Sequence, residues 1–387
     1  MNVLMLNYEY PPLGGGGGVF NQQLAEELSQ KNQVTLITSR FGAQPSYEIQ
    51  RGVEIFRVPV LWRRNPNSAT LLSMFSFFPT SLRTGYRLLH TRPFDLVHSM
   101  FAIPSAPSGF LLAKRFCLPH VLSILGGDVY DPSKRLSPHR APLLHATVKK
   151  LLADSDRVVA MSSDIVARAV AHYGVVRPIE VIPHGIKRPL FVPKTRADLG
   201  YPADAILLTT VGRLIPRKAV HELLAVVREV PSAKVHLVII GDGPERPKLE
   251  ALAQSWQVAD RVHFLGNISD EAKFQVLNIA DIYLSSTQHE GFGLVFLEAM
   301  AVGLPIVSYD NGGQVDFLAD DKTGFLVKLG DHQRLAQRTQ ALIDNRALRQ
   351  RIGQFNRQHV ADYYIASCGR KYQVLYDALV SAPRGSG

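Results

Sequence analysis

A chain of 387 residues is longer than one ordinary core accommodates and argues for two domains. Its 46% apolar content excludes wholesale disorder, and no stretch reaches the roughly 18 apolar residues that a spanning helix needs. The formal charge of +10 is lopsided: residues 1–190 hold 21 Lys+Arg against 12 Asp+Glu, a balance of +9, which leaves 22 against 21, or +1, for residues 191–387. The basic half is either a solvated surface or one drawn to an anionic membrane face or anionic acceptor. Nucleic acid is disfavoured because no binding module is recognisable. Cys117 and Cys368 fit neither a zinc site nor a disulfide framework, and Met1 to Asn7 lacks the basic leader and long apolar run of a signal peptide. The expected location is cytoplasmic, with the inner face of the membrane as an option.

In chain order, an apolar strand at Val3–Asn7 leads through Tyr10-Pro11-Pro12-Leu13 into five glycines, Gly14 to Gly18. A helix is expected over Val19–Gln30, where Phe20, Leu24 and Leu28 recur at four-residue intervals, and a buried strand at Val34–Thr38. Strand, glycine loop, helix and strand make a parallel βαβ unit. Leu71 to Phe78 is apolar and aromatic, flanked by Arg63-Arg64 and by Arg83, Arg87 and Arg92. It reads as a buried helix or as an interfacial amphipathic element beside lipid. Further strands are expected at Leu96–His98, His120–Ile124 and Arg157–Met161. A Pro-rich basic stretch, Pro183 to Pro193, marks the domain boundary.

The second half alternates more plainly. Strands are expected at Ala205–Val211, Lys234–Ile240, Val262–Leu265, Ile282–Ser285, Pro305–Ser308 and Gly324–Val327. Helices are expected at Val220–Glu229, Glu245–Gln257 and Glu271–Ile279 between them. The alternation predicts a doubly wound α/β sheet. Lys371–Leu379 reads as a helix and Ser381–Gly387 as a frayed tail. The expected domains are residues 1–188 and 189–364, with 365–387 a terminal helix for which a crossing back to the first domain is an option.

Three segments carry chemistry. Gly212-Arg213-Leu214-Ile215-Pro216-Arg217-Lys218 follows the first strand of the second half, at the sheet edge where ligands bind in such folds. Arg213 and Lys218 are cations five positions apart that can grip two phosphates. Glu290 and Glu298 stand eight apart, separated by Gly291-Phe292-Gly293-Leu294 and an apolar helix. The start of that helix offers backbone N–H groups to an anion. Gly15 and Gly16 permit close backbone approach to a ligand, a signal that also suits NAD. An acidic ribose partner for NAD is missing, since neither Glu48 nor Glu54 ends a clear strand.

These segments resemble the E-x7-E signature of retaining glycosyltransferases with the GT-B fold, specifically glycosyltransferase family 4. Gly212-Arg213 with Lys218, Gly241-Asp242-Gly243-Pro244, Gly303-Leu304-Pro305, Gly312-Gly313 with Asp316, Gly15-Gly16 and Ile182-Pro183-His184-Gly185 are each similar to a motif of that family. The resemblance implies two Rossmann-like domains facing across a cleft, the first for the acceptor and the second for a nucleotide-sugar donor. It implies that Arg213 and Lys218 hold the donor diphosphate, Glu290 contacts the donor sugar, and Glu298 holds the ribose. Backbone from Gly291, Phe292, Gly293 and Leu294 would meet the sugar and phosphates, Gly212, Gly15 and Gly16 would lie near the diphosphate, and Gly266, Asn267 and Ile268 near the base. The implied reaction is transfer of a hexose-type sugar from a UDP- or GDP-sugar to a sugar or lipid-linked acceptor in envelope glycan, polysaccharide or glycolipid synthesis. No metal and no cofactor are implied, because two cations neutralise the diphosphate. Leu125 stands where many members carry a catalytic-loop histidine, so that role does not carry over. Asp128 remains a candidate for acceptor contact or proton handling, or a residue that fixes its loop. A non-catalytic nucleotide-sugar-binding subunit and a same-fold phosphorylase or epimerase are the alternatives.

Overall fold

The structure is a computed structural model that describes residues 1–63, 65, 69–131, 136–230 and 232–381. Arg64 and the tail 382–387, read above as a basic flank and a frayed end, lie outside the described residues. The chain forms two compact units, one of Met1–Lys187 with Ile365–Gly387 and one of Arg188–Tyr364.

The first unit is built on an eight-stranded sheet. Its strands are β1 (Asn2–Asn7), β2 (Gln33–Arg40), β3 (Tyr47–Gln50), β4 (Val53–Pro59), β5 (Leu96–Met100), β6 (His120–Ile124), β7 (Arg157–Ala160) and β8 (Glu180–Val181). Their order is β3-β4-β2-β1-β5-β6-β7-β8. All neighbours run parallel except the β3–β4 hairpin at the edge. The strands β1, β5 and β6 are buried almost throughout because both faces are covered. The helices are α1 (Gly16–Leu28), α2 (Leu71–Thr91), α3 (Ala106–Arg115), α4 (Pro142–Asp154) and α5 (Ser163–Tyr173), joined by the terminal α12 (Ile365–Ser381).

One expectation needs correction here. The five glycines are not a loop throughout: Gly16, Gly17 and Gly18 form the first turn of α1, which ends two residues before the expected Gln30. The reason is close packing. A Cβ on Gly18 would lie 2.9 Å from the Leu13 carbonyl oxygen, and one on Gly17 would lie 3.0 Å from the Phe101 ring. Glu48 and Glu54 are each the second residue of their strand, β3 and β4, so neither ends one, in keeping with the sequence reading, and they pair with Arg57 and Arg92.

The terminal helix α12 belongs to the first unit through a buried polar network. Tyr376 Oη lies 2.6 Å from His98 Nδ1, and His98 Nε2 lies 2.8 Å from Ser123 Oγ, which lies 2.9 Å from Tyr372 Oη. Asn32 donates to Gln373 at 2.7 Å. Buried polar groups need such partners, and this set fixes one seat for the helix.

The second unit is a six-stranded, all-parallel sheet of β9 (Ile206–Val211), β10 (Val235–Ile240), β11 (Val262–Gly266), β12 (Ile282–Ser285), β13 (Ile306–Tyr309) and β14 (Gly324–Val327). Helices α6 (His221–Glu229), α7 (Arg246–Ser255), α8 (Asp270–Ile279), α9 (Leu294–Ala301), α10 (His332–Asp344) and α11 (Arg346–His359) accompany it. The order is β11-β10-β9-β12-β13-β14. Its direction of winding reverses between β9 and β12, so the loops leaving those two strands diverge and open a crevice at their C-terminal ends. A large apolar cluster with Leu208, Leu237, Ile239, Leu284, Val307 and Leu335 among its buried members packs this unit, and smaller ones form around Leu207 and Ile279 and around Val238, Ile240 and Val276.

Candidate functional site

The crevice between β9 and β12 is where the sequence-marked residues of the second unit converge. The β9 loop carries Gly212, Arg213 and a short 3-10 turn, Pro216–Lys218. The β12 loop runs from Ser286 to Gly293. Ser286 Oγ donates to the carbonyls of Lys218 at 3.0 Å and Ala219 at 2.9 Å, and the Gln288 N–H donates to the Arg217 carbonyl at 3.0 Å. A third loop, after β13, joins them. Asn311 Nδ2 donates to the Gln288 carbonyl at 2.6 Å, and the Gly313 N–H to the Glu290 carbonyl at 2.7 Å. Gly312, at φ +113°, has no room for a side chain because a Cβ there would lie 2.4 Å from the Glu290 oxygen.

Lys218 Nζ lies 2.5 Å from Glu290 Oε2, and Arg217 Nη1 lies 3.7 Å from the same oxygen. Burial pushes the Glu290 carboxyl up, but Lys218 and Arg217 more than offset it, and the net shift is down. Glu290 is therefore an anion held beside two cations. Arg213 is exposed at the rim of a small pocket that Gly212, Lys218, Ser285, Ser286 and Thr287 also line. Its guanidinium has no hydrogen-bond or ion-pair partner among the described residues, whereas Lys218 is already paired. Arg213 and Lys218 thus line one opening, and Glu290 is joined to it through Lys218.

Glu298 lies on α9 one turn past its start. Lys273, on α8, approaches Oε1 at 2.8 Å and also meets Asp270 at 3.0 Å. The other carboxylate oxygen of Glu298 is buried and has no partner among the described residues. Burial raises the Glu298 pKa, and Lys273 offsets only part of the rise. Tyr283, buried on β12, has its pKa raised by burial, and the charges of Glu298 and Glu290 add to the rise.

Local sequence explains α9. Phe296, Leu297, Ala299 and Met300 are buried, and Phe296 stands edge-on to Tyr283 with centroids 5.7 Å apart. Full burial of such a side chain is worth about 1.5–3 kcal/mol. Gly293 precedes the helix at φ +91°. Gly303 ends it at φ +79°, with Gly303 N–H to the Met300 carbonyl and Leu304 N–H to the Ala299 carbonyl closing a Schellman turn. The apolar helix consequently begins at Leu294, inside the crevice, with its unpaired N–H end and partial positive charge there. Gly291 and Phe292 belong to the turn before it.

Gly266, at φ +67°, ends β11, and Asn267, exposed, and Ile268 follow it. Gly241 and Gly243 let the β10 loop lie against the β9 loop. A Cβ on Gly241 would stand 2.1 Å from the Gly212 oxygen, and one on Gly243 2.3 Å from the Leu214 oxygen.

In the first unit, Gly15 caps the start of α1, and Gly16 is its first residue. Asp128 sits in the loop after β6. Its Oδ2 accepts the Ala102 N–H at 2.6 Å and its Oδ1 the Leu125 N–H at 2.9 Å. Burial raises its pKa to about 6 despite these donors. Both oxygens are engaged in tying the loop after β5 to the loop after β6. His184 stacks on Phe20 with ring centroids 3.5 Å apart.

Sequence reasoning missed Lys273 as the partner of Glu298 and did not separate Arg217 from the loop's general basic character. Arg217 was visible as part of a cation pair after a strand. Lys273 carried no signal, being one lysine on an ordinary helix.

The chain matches the family model described as Glycosyl transferases group 1 over residues 191–359, and the model described as Glycosyltransferase Family 4 over residues 14–188. It is 30% identical over 380 residues to a D-inositol 3-phosphate glycosyltransferase of Nocardia farcinica, covering 90% of this chain and 81% of that one. It is 34% identical over 209 residues to the lipopolysaccharide core biosynthesis glycosyltransferase LpsE of Rhizobium meliloti, covering 52% of this chain and only 60% of LpsE. Among solved structures, HepE of Anabaena in complex with UDP and glucose superposes with a TM-score of 0.77 at 18% identity, covering 98% of this chain and all of that one.

Proposed function

Because the chain belongs to glycosyltransferase family 4 and has the GT-B fold, we propose that it transfers a hexose-type sugar from a UDP- or GDP-sugar to an acceptor hydroxyl, with retention of anomeric configuration and without a metal. The observation that carries this reading is the grouping of Arg213 and Lys218 at the β9/β12 crevice with Glu290 paired to Lys218, and Glu298 on the helix that follows. Arg213 presents a free fork of donors at the rim, suited to two phosphate oxygens. Lys218 adds a second cation once the diphosphate competes with Glu290 for it, and the N–H end of α9 supplies a third positive pole. Together they stabilise charge on the departing diphosphate as the bond from the anomeric carbon to its oxygen breaks, a bond to the acceptor oxygen forms, and the acceptor's hydroxyl proton passes to the departing diphosphate oxygen. Glu290 contacts the sugar hydroxyls, and the unpartnered oxygen of Glu298 accepts from the ribose. Gly266 to Ile268 border the base. The first unit, with Gly15, Gly16 and the loop fixed by Asp128, receives the acceptor. The acceptor is a sugar or lipid-linked glycan of envelope or polysaccharide synthesis, a class consistent with the name of LpsE, whereas the name of the Nocardia relative points to an inositol phosphate.

The test is incubation of the protein with labelled UDP- and GDP-hexoses and a glycolipid extract. The expected result is acceptor-dependent release of nucleoside diphosphate with one new glycosidic bond of the donor's anomeric configuration. Inversion would overturn the stereochemical part. Epimerised donor, or sugar 1-phosphate formed from a glycan and inorganic phosphate, would overturn the transfer itself.

A further inference from the structure

Helix α2 buries one face and leaves an apolar stripe outside. Ser73, Phe77, Ser81, Gly85 and Leu88 point into the first unit's core. On the opposite side, Leu72, Phe75, Pro79 and Tyr86 fall at alternating three- and four-residue steps, with two steps between Pro79 and Tyr86. Leu72 is 56% and Phe75 54% exposed. The preceding segment adds to this stripe. Leu61 N–H donates to Ser76 Oγ at 2.8 Å, and Thr70 Oγ1 donates to the Trp62 carbonyl at 3.0 Å. These bonds hold Leu61 and Trp62, both more than 60% exposed, beside the first turns of the helix. Large apolar side chains grouped on a surface mark an interaction site.

Charge decides the partner. Between Glu54 and Asp95 the sequence has no acidic residue and six arginines. Exposed Arg83 and Arg87 stand on α2 next to the apolar stripe. A second copy docking the same face by a two-fold axis would set these arginines against each other. An anionic lipid surface matches both parts: tryptophan and leucine enter the headgroup boundary while arginines meet the phosphates. No helix among the described residues is long and apolar enough to cross a membrane, so the contact is a seat on the surface.

We propose that Leu61, Trp62, Leu72 and Phe75, with Arg83 and Arg87, form a docking face for an anionic bilayer. The inference deepens the functional reading by placing the enzyme where a lipid-linked acceptor lies, and its test reads binding without transfer. A failure here leaves the donor chemistry standing, because nucleotide binding is measured separately.

The experiment is flotation of the full chain with vesicles of phosphatidylcholine alone and of phosphatidylcholine with phosphatidylglycerol. The expected result is binding to the anionic vesicles at least tenfold stronger than to the neutral ones, weakening as salt rises. A W62S/L72S/F75S variant and an R83Q/R87Q variant should each lose at least tenfold, with the UDP-induced thermal shift unchanged as the check on folding. Trp62 and Trp256 are the chain's two tryptophans. In a W256F chain, brominated lipid should quench the remaining fluorescence, a readout that needs no destabilising variant. Absence of anionic-vesicle binding, undiminished binding by the triple variant, or unquenched Trp62 would each overturn the proposal. A dimer in solution that the triple variant dissolves would also overturn it and assign the face to a second copy.

Discussion

Glu290 and Glu298 carry the same carboxyl in two opposed settings. Glu290 is pulled down by Lys218 and Arg217 against its burial; Glu298 is pushed up by burial that Lys273 only partly offsets. Glu290→Gln keeps the size of the side chain and removes its charge. We expect turnover to fall at least a hundredfold while UDP affinity stays within a few-fold, as kinetics and calorimetry on the same preparation would measure. Unchanged turnover would remove Glu290 from the chemistry. Three histidines of the first unit set the acid limit of the molecule. His98, His120 and His184 are buried, and burial lowers each pKa from 6.5 to about 3. The folded state therefore keeps them neutral while the unfolded chain takes up protons below pH 6.5. Stability is lost progressively as pH falls from 6.5 towards 3, by up to about 2 kcal/mol per histidine at pH 5. Asp128 runs the other way, since its pKa rises to about 6 and the folded state gains as pH falls from 6 to the ordinary carboxyl range, but it is one group against three. Urea unfolding at pH 7 and pH 5 should show the loss, and His184→Asn should shrink it by about one third.

At the scale of elements, the loops after β9 and β10 depend on glycine where backbones touch. Gly241 has φ +127° and stands against the Gly212 oxygen. Gly241→Ala should destabilise the protein by about 2 kcal/mol or more and weaken nucleotide binding, read as a lower thermal midpoint and a smaller UDP-induced shift. An alanine there with wild-type stability and binding would show that the two loops are free to part. Elements were legible where the pattern was dense. β6, β12 and β14 were read to the residue because a short apolar run stands between clear breakers. Helix α11 was not read, because only Leu348, Ile352 and Phe355, with two alanine- or glycine-sized gaps, mark its apolar side. The β3–β4 hairpin was also missed. Its signal was Arg51-Gly52, both at positive φ, between the paired Gln50 and Val53. In the site, Arg213, Lys218 and Glu290 were legible because they follow strands in the same sheet. Lys273 was not, because only folding brings it to Glu298, 25 residues away.

At the scale of the whole molecule, each unit is a doubly wound sheet, and family membership rests on both halves of the chain. The account assigns the diphosphate to protein cations, so transfer should persist in excess EDTA at no less than half the untreated rate, measured as nucleoside diphosphate released. A strict requirement for a divalent ion would contradict that assignment. The central claim is that a nucleoside diphosphate binds at the β9/β12 crevice through Arg213 and Lys218. Calorimetric titration of the wild type and of an R213A/K218A variant with UDP, GDP and NAD tests it most directly. The account predicts that UDP or GDP binds the wild type, that NAD does not, and that the double variant loses at least tenfold in affinity while remaining folded. Binding of NAD alone, or diphosphate binding that the double variant retains in full, would contradict it.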